Sequence, residues 1–172
     1  LGDVYKRQIL IEGSTTGSDN WGNAIINFIS EEVVRADPNT GEGGYWTGNI
    51  SQRNQTTGSG YTNEGKGPQI ANSRIRNLAM KVLPDARTNR ITGLPMPTLA
   101  YGHYSGYSIV TARTDSYMSP YTNVYDITAS SYSIGNFINF TENSNLIFEQ
   151  DGSNGRSVFF IPVPTADRTT TT

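Results

Sequence analysis

Apolar residues come in short runs along this chain, separated by stretches rich in Gly, Asn, Thr and Pro. From residue 74 onward the runs are Leu78–Leu83, Pro97–Tyr101, Tyr107–Thr111, Asn123–Ile127, Phe137–Phe140, Asn145–Phe148 and Ser157–Ile161. Most are rich in β-branched and aromatic residues, which suit a pleated, half-buried surface. Turn residues punctuate them: Pro84-Asp85, Arg90 to Gly93, Gly102 to Gly106 and Asp151 to Gly155. Short strands at roughly 8–12-residue spacing predict an all-β fold built as a sandwich, barrel or propeller.

Earlier in the chain the pattern is less regular. Ile9-Leu10-Ile11 is one apolar run, and Ile25, Ile26, Phe28, Ile29, Val33 and Val34 form another. The second set fits helical spacing through 25, 28 and 29, and fits alternation through Ile26, Phe28 and Ser30; its β-branched content favours strand. Residues 37–73 hold few apolar side chains, chiefly Tyr45, Trp46, Ile50 and Tyr61. A loop of that length inside a compact domain is usually functional or disordered.

The runs suggest an approximate repeat, with 78–83, 98–101 and 107–110 recurring as 137–140, 146–148 and 158–161. The offsets are unequal, roughly 47 to 59 residues, so insertions are needed to match propeller blades, which run ~40–50 residues with four strands each.

Composition sharpens the reading. Only 35% of the 172 residues are hydrophobic, but charged residues are just 16% and the net charge is −2, so self-repulsion does not hold the chain open. The polar surface is mostly uncharged, and Tyr is abundant. Nucleic-acid binding needs clustered cations to displace phosphate counterions. The nearest approach is Arg74, Arg76, Lys81, Arg87 and Arg90, with no aromatic interleaving, so no nucleic-acid partner is expected. The absence of Cys excludes disulfides and thiolate metal sites. No apolar run reaches the ~20 residues of a membrane-spanning helix, and no membrane insertion is expected.

Catalytic constellations are thin. His103 is the single histidine, so a multi-imidazole site has no second member; it is expected in a hairpin turn beside tyrosines. Adjacent Glu31 and Glu32 would face opposite sides of a strand, and Asp115, Asp126, Glu142 and Glu149 fall on different elements. The expectation is no enzyme and no cofactor. One segment, Asp37-Pro-Asn39-Thr-Gly-Glu42, has the alternating oxygen ligands of a calcium loop, but it lacks the third acidic or amide ligand and the distal bidentate Glu of the full motif, and its residues serve turn geometry without a metal. The remaining signal is aromatic. Tyr45, Trp46 and Tyr61 lie among Gly and Asn, and Tyr101, Tyr104 and Tyr107 surround one hairpin. Sugar rings stack on exposed aromatic faces, so these six residues are the candidate ligand-binding set; capping of a thin β core is the alternative.

The segment Thr92-Gly-Leu-Pro-Met-Pro-Thr-Leu-Ala-Tyr101, followed by Gly106-Tyr-Ser-Ile-Val110 and Val124 to Ile127, resembles a β-propeller repeat of uncharacterised marine phage and metagenomic proteins. The likeness covers 74–128 well and 129–167 loosely; Tyr101–Tyr104 and Tyr117–Tyr121 depart from it. It implies a partial propeller, with a sandwich as the alternative, in a virion- or tail-associated structural and adhesion protein. Such a protein would be located in a virion or extracellularly and would bind a cell-surface glycan or receptor and its own or other virion subunits. A bacterial carbohydrate-binding or surface-adhesion module is the alternative function. Leu1–Gln8 resembles a translated sequencing adapter. The expected organisation is therefore a non-native tail at 1–8, a loop-rich β segment at 9–73, a propeller-like repeat region at 74–167 and a polar tail at 168–172, in a fragment of a larger protein.

Overall fold

The computed structural model describes residues 2–5, 8–11, 24–29, 32–35, 45–47, 61–62, 70–72, 75–89, 92–103, 106–111, 123–128, 133–152 and 155–163. Every regular element among them is a strand: β1 Gly2–Tyr5, β2 Gln8–Ile11, β3 Ala24–Asn27, β4 Glu32–Arg35, β5 Tyr45–Thr47, β6 Tyr61–Thr62, β7 Ile75–Lys81, β8 Thr98–His103, β9 Gly106–Thr111, β10 Asn123–Thr128, β11 Ser133–Phe140, β12 Asn145–Gly152 and β13 Gly155–Pro162. The all-β expectation is met.

The strands form three open antiparallel sheets, β1 to β6, β7 to β10 and β11 to β13, and each runs in chain order with every strand beside its sequence neighbours. Such meanders need only short connections, which explains the regular alternation of apolar runs and turn residues. The ambiguous run at 24–34 folds as a hairpin. β3 ends at Asn27, whose Oδ1 accepts the Ile29 N–H at 3.0 Å, and this turn leaves Phe28 and Ile29 exposed. Tyr45, Trp46 and Tyr61, expected in loops, belong to strands β5 and β6. Residues 2–5, set aside in the sequence reading, form a strand paired with β2.

The sheet β7 to β10 is the centre of the core. On one face Ala79, Ala100, Tyr107 and Ile109 pack against Ile138, Leu146 and Phe148 of β11 and β12. Small side chains at 79 and 100 let β11 lie close over β7 and β8, while the Tyr107 and Phe148 rings, 4.6 Å apart between centroids, fill the space beside them. The opposite face carries Met80, Leu99, Tyr101, Val110, His103 and Ser108, all buried, together with Ile70 and Met96. Both faces are therefore inside, which is why Tyr107–Val110 reads as a nearly continuous buried run.

Lys81 fastens the two sheets at one end. Its ammonium donates to the carbonyls of Thr141 and Glu142, the latter at 2.9 Å, in the turn between β11 and β12. In that turn Ser144 has φ 61°. A second turn, 87–96, is closed by Asn89 N–H to Leu94 O, Gly93 N–H to Asn89 O and Met96 N–H to Arg87 O; Gly93 there has φ 66°, a conformation that disfavours any residue with a Cβ.

Candidate functional site

The six aromatic candidates divide into three groups. Tyr45, Trp46 and Tyr61 sit on the last two strands of the six-stranded sheet, where Trp46 is the direct register partner of Tyr61 and Tyr45 of Thr62. The row through Trp46 continues to Val33, Ile26, Ile9 and Val4, one apolar or aromatic position per strand. Register partners in an antiparallel pair lie on the same side of a sheet within ~5 Å, so two aromatic residues are juxtaposed at its β6 end. Sequence spacing alone could not reveal this, because 46 and 61 are joined only by the pairing of β5 with β6.

Tyr101 and Tyr107 belong elsewhere. Tyr101 is 0% exposed and Tyr107 nearly so; they face opposite sides of the central sheet and serve its core. The surface-stacking expectation is corrected for these two, since a buried ring offers no face to a ligand. They are buried because β8 and β9 are covered on both sides. Tyr104, and the calcium-loop candidates Asp37, Asn39 and Glu42, lie outside the described residues.

His103, expected in a hairpin turn beside tyrosines, lies on the strand that leads into the β8–β9 hairpin. It ends β8, fully buried, opposite Gly106 of β9 and Ile75 of β7. Its Nε2 is 3.1 Å from Ser108 Oγ, and Ser108 Oγ accepts the Ala71 N–H at 3.2 Å. Burial pushes its pKa down from 6.5 to about 4, because desolvation penalises the imidazolium, so the ring is neutral at pH 7.

Glu142 and Glu149, whose side chains are described, lie apart, and Asp115 lies outside the described residues. Glu142 lies in the β11–β12 turn, and Glu149 lies on the outer side of β12, 3.4 Å from Arg156 Nη1. Asp126 lies on β10 as register partner of Ser108. Among the described residues no group of three or more His, Cys, Asp or Glu is arranged to hold a metal ion.

One surface was not singled out from sequence. The side of β11 to β13 facing away from the core presents Phe137, Val158 and Phe160, 40%, 58% and 65% exposed, with Arg156 and Glu149 beside them. The signal was present in Val158-Phe-Phe-Ile161, a run apolar on both sides, as expected of a strand covered twice.

These features define the chain as an all-β protein of consecutive antiparallel meanders, with a paired-aromatic sheet end and an uncovered apolar sheet face. No protein-family model matches the chain, and neither a curated protein nor a solved structure is significantly similar to it.

Proposed function

We propose that this chain is a non-catalytic structural and adhesion component, of the virion-associated kind its repeat resembles, that binds a cell-surface glycan through the aromatic end of its first sheet. The observation that carries the reading is the direct pairing of Trp46 with Tyr61. The register places these two aromatic residues at neighbouring positions of adjacent strands, and sugar C–H faces pack on aromatic rings. A propeller-like stacking of sheets is part of this reading. Each sheet is a simple meander, and β11, first strand of its sheet, lies over β7, first of the preceding one. A module of a secreted bacterial surface protein would use the same platform.

The test is a glycan-array screen of the whole chain, with and without calcium, beside the Trp46→Ala and Tyr61→Ala variants. Binding that falls at least tenfold in both variants, with their folding intact by circular dichroism, supports the reading. Binding unchanged in both, or no binding by the folded protein, overturns it. Calcium dependence would bring in Asp37, Asn39 and Glu42.

A second reading, a subunit that assembles with its own copies, is favoured by the apolar outer side of β11 to β13. Sedimentation velocity of the protein beside Val158→Lys and Phe160→Lys tests it: an oligomer that the charges dissolve supports it, and a monomeric parent ends it.

A further inference from the structure

The three-stranded sheet ends at β13, and the hydrogen-bond phase of that strand follows from a bond in the β11–β12 turn. Thr141 N–H donates to Asn145 O at 2.8 Å, so Asn145 turns its backbone groups toward β11. Backbone groups alternate sides along an antiparallel strand, so Leu146, Phe148, Gln150 and Gly152 turn theirs toward β13. Their register partners Ile161, Phe159, Ser157 and Gly155 bond back to β12. The N–H and C=O of Val158 and Phe160 are thereby aimed away from the sheet, at its open edge. The same two residues carry exposed side chains. Phe159 between them, though stacked on Phe148, keeps 39% of its surface exposed.

We propose that two copies of this chain pair through β13, antiparallel about a twofold axis at Phe159, joining two three-stranded sheets into one of six strands. The inference rests on the assembly reading and names its contact.

The strand is complementary to itself in this register. Val158 of each copy lies opposite Phe160 of the other, and each such pair exchanges two backbone hydrogen bonds. Valine beside phenylalanine is a favourable cross-strand pair on the outer side. On the core side the two Phe159 rings meet across the axis and cover the surface that stacking on Phe148 leaves open. The ends confine the pairing to this stretch. Arg156 falls opposite Pro162, which has no N–H to give, so the ladder stops there. Apolar residues thus lie at the centre and the charge at the rim, as in protein interfaces generally.

Charge argues for a like strand rather than a different one. Arg156 is the one charged side chain of β13, and Glu149 lies 3.4 Å from it. The edge therefore carries no net charge to draw an acidic or basic peptide. The apolar run 158–160 selects the occupant, and a second β13 supplies the same run. A twofold contact also closes, because each β13 is used once and no further copy adds to it. One edge pair buries little area, so the dimer is expected to be weak, with a dissociation constant on the order of 10–100 μM, and the dilute protein monomeric.

The test is amide hydrogen exchange of the full chain, read residue by residue, at about 20 and about 500 μM, beside sedimentation velocity. Protection of the Val158 and Phe160 amides should rise about threefold between those concentrations by mass action. Phe159 and Ile161, bonded to β12 throughout, should stay unchanged. Since the chain has no cysteine, single thiols report the register. Phe159→Cys should form a disulfide-linked dimer on oxidation, its facing Cα atoms being about 4.5 Å apart. Ser157→Cys, displaced along the strand and about 13 Å from its counterpart, should not. Phe137→Lys, on the opposite edge strand, should leave dimerisation as it is. Concentration-dependent protection confined to Val158 and Phe160 supports the edge pair, whether or not Phe159→Cys folds. A monomer at the higher concentration ends both this proposal and the assembly reading. An oligomer whose Val158 and Phe160 amides exchange alike at both concentrations, that links through Ser157→Cys, or that Phe137→Lys dissolves, leaves the assembly reading standing and overturns the edge pair.

Discussion

The central sheet β7 to β10 and the outer sheet β11 to β13 are built from similar runs and end in different surroundings. Ile109 and Val110 are adjacent on β9, point to opposite sides, and are both fully buried. Phe159 and Phe160 are adjacent on β13 in the same way, but Phe159 stacks on Phe148, with centroids 5.4 Å apart, and is still 39% exposed, while Phe160 is 65% exposed. A two-sided apolar run therefore states a demand for cover on both sides. The fold meets it for β9 and, within this chain's described residues, leaves it open for β13.

Paired truncations test this contrast with the largest expected effect. Leu99→Ala opens a cavity in a fully buried site and is expected to cost about 3–4 kcal/mol in urea-denaturation stability. Phe160→Ala removes a larger side chain and is expected to cost less than about 0.5 kcal/mol, because a largely exposed ring loses little burial. Comparable costs would show that the outer side of β13 is covered in solution.

The second prediction concerns the ionisable group of the central sheet. His103 has its folded-state pKa lowered from 6.5 to about 4, so the unfolded chain binds more protons in that interval. Its contribution is fully present above pH 6.5, declines as pH falls, and is exhausted near pH 4. The total corresponds to about 3 kcal/mol. It is read as the difference between wild type and His103→Gln in urea midpoints from pH 7 to 4, which cancels the carboxylates common to both. A difference independent of pH would place His103 in water and remove the two-sided burial of β8.

Much of this contrast was legible beforehand. The seven runs from Leu78 to Ile161 each fall on a strand, because β-branched clusters bounded by Gly, Asn and Pro carry local information. Other features depended on partners distant in sequence. The burial of Tyr101 and Tyr107 favours capping of the β core over surface stacking, and deciding between the two needed partners distant in sequence, such as Phe148 against Tyr107. The juxtaposition of Trp46 and Tyr61 required the β5–β6 register. His103 offered no sign of burial, since a lone histidine between tyrosines suits a turn as well as a core.

The third prediction loosens the joint between the two sheets. Lys81→Met keeps the stem's packing and removes the ammonium that holds the Thr141 and Glu142 carbonyls. Hydrogen bonds from a charged donor contribute ~1–3 kcal/mol, and partial exposure puts this case near the lower end, at about 1–2 kcal/mol. Exchange at the Ser144 and Asn145 amides should rise with it, while Ala100 stays protected. A uniform rise at all three would mean that the sheets unfold as one unit and that the clamp has no local role.

The smallest effect acts on the outer sheet alone and has the opposite sign. Ser144 holds φ 61°, a left-handed conformation that costs an L-residue ~1 kcal/mol and glycine very little. Its amide donates to Thr141 O, and the turn is closed by Thr141 N–H to Asn145 O and by Asn145 N–H to Thr141 Oγ1, so the closing bonds use Thr141 rather than the serine hydroxyl. Ser144→Gly keeps all of them and relieves the backbone. Glycine's greater freedom in the unfolded chain offsets part of the gain, leaving a net stabilisation of about 0.5 kcal/mol, or a melting point higher by roughly 1–2 °C. Ser144→Ala separates the two contributions, because it retains the backbone cost and removes only the hydroxyl; it should leave the melting point unchanged. If glycine lowers the melting point and alanine does so equally, the hydroxyl is holding the hairpin. If glycine lowers it and alanine does not, the turn is limited by the order of the unfolded chain rather than by strain in the folded one.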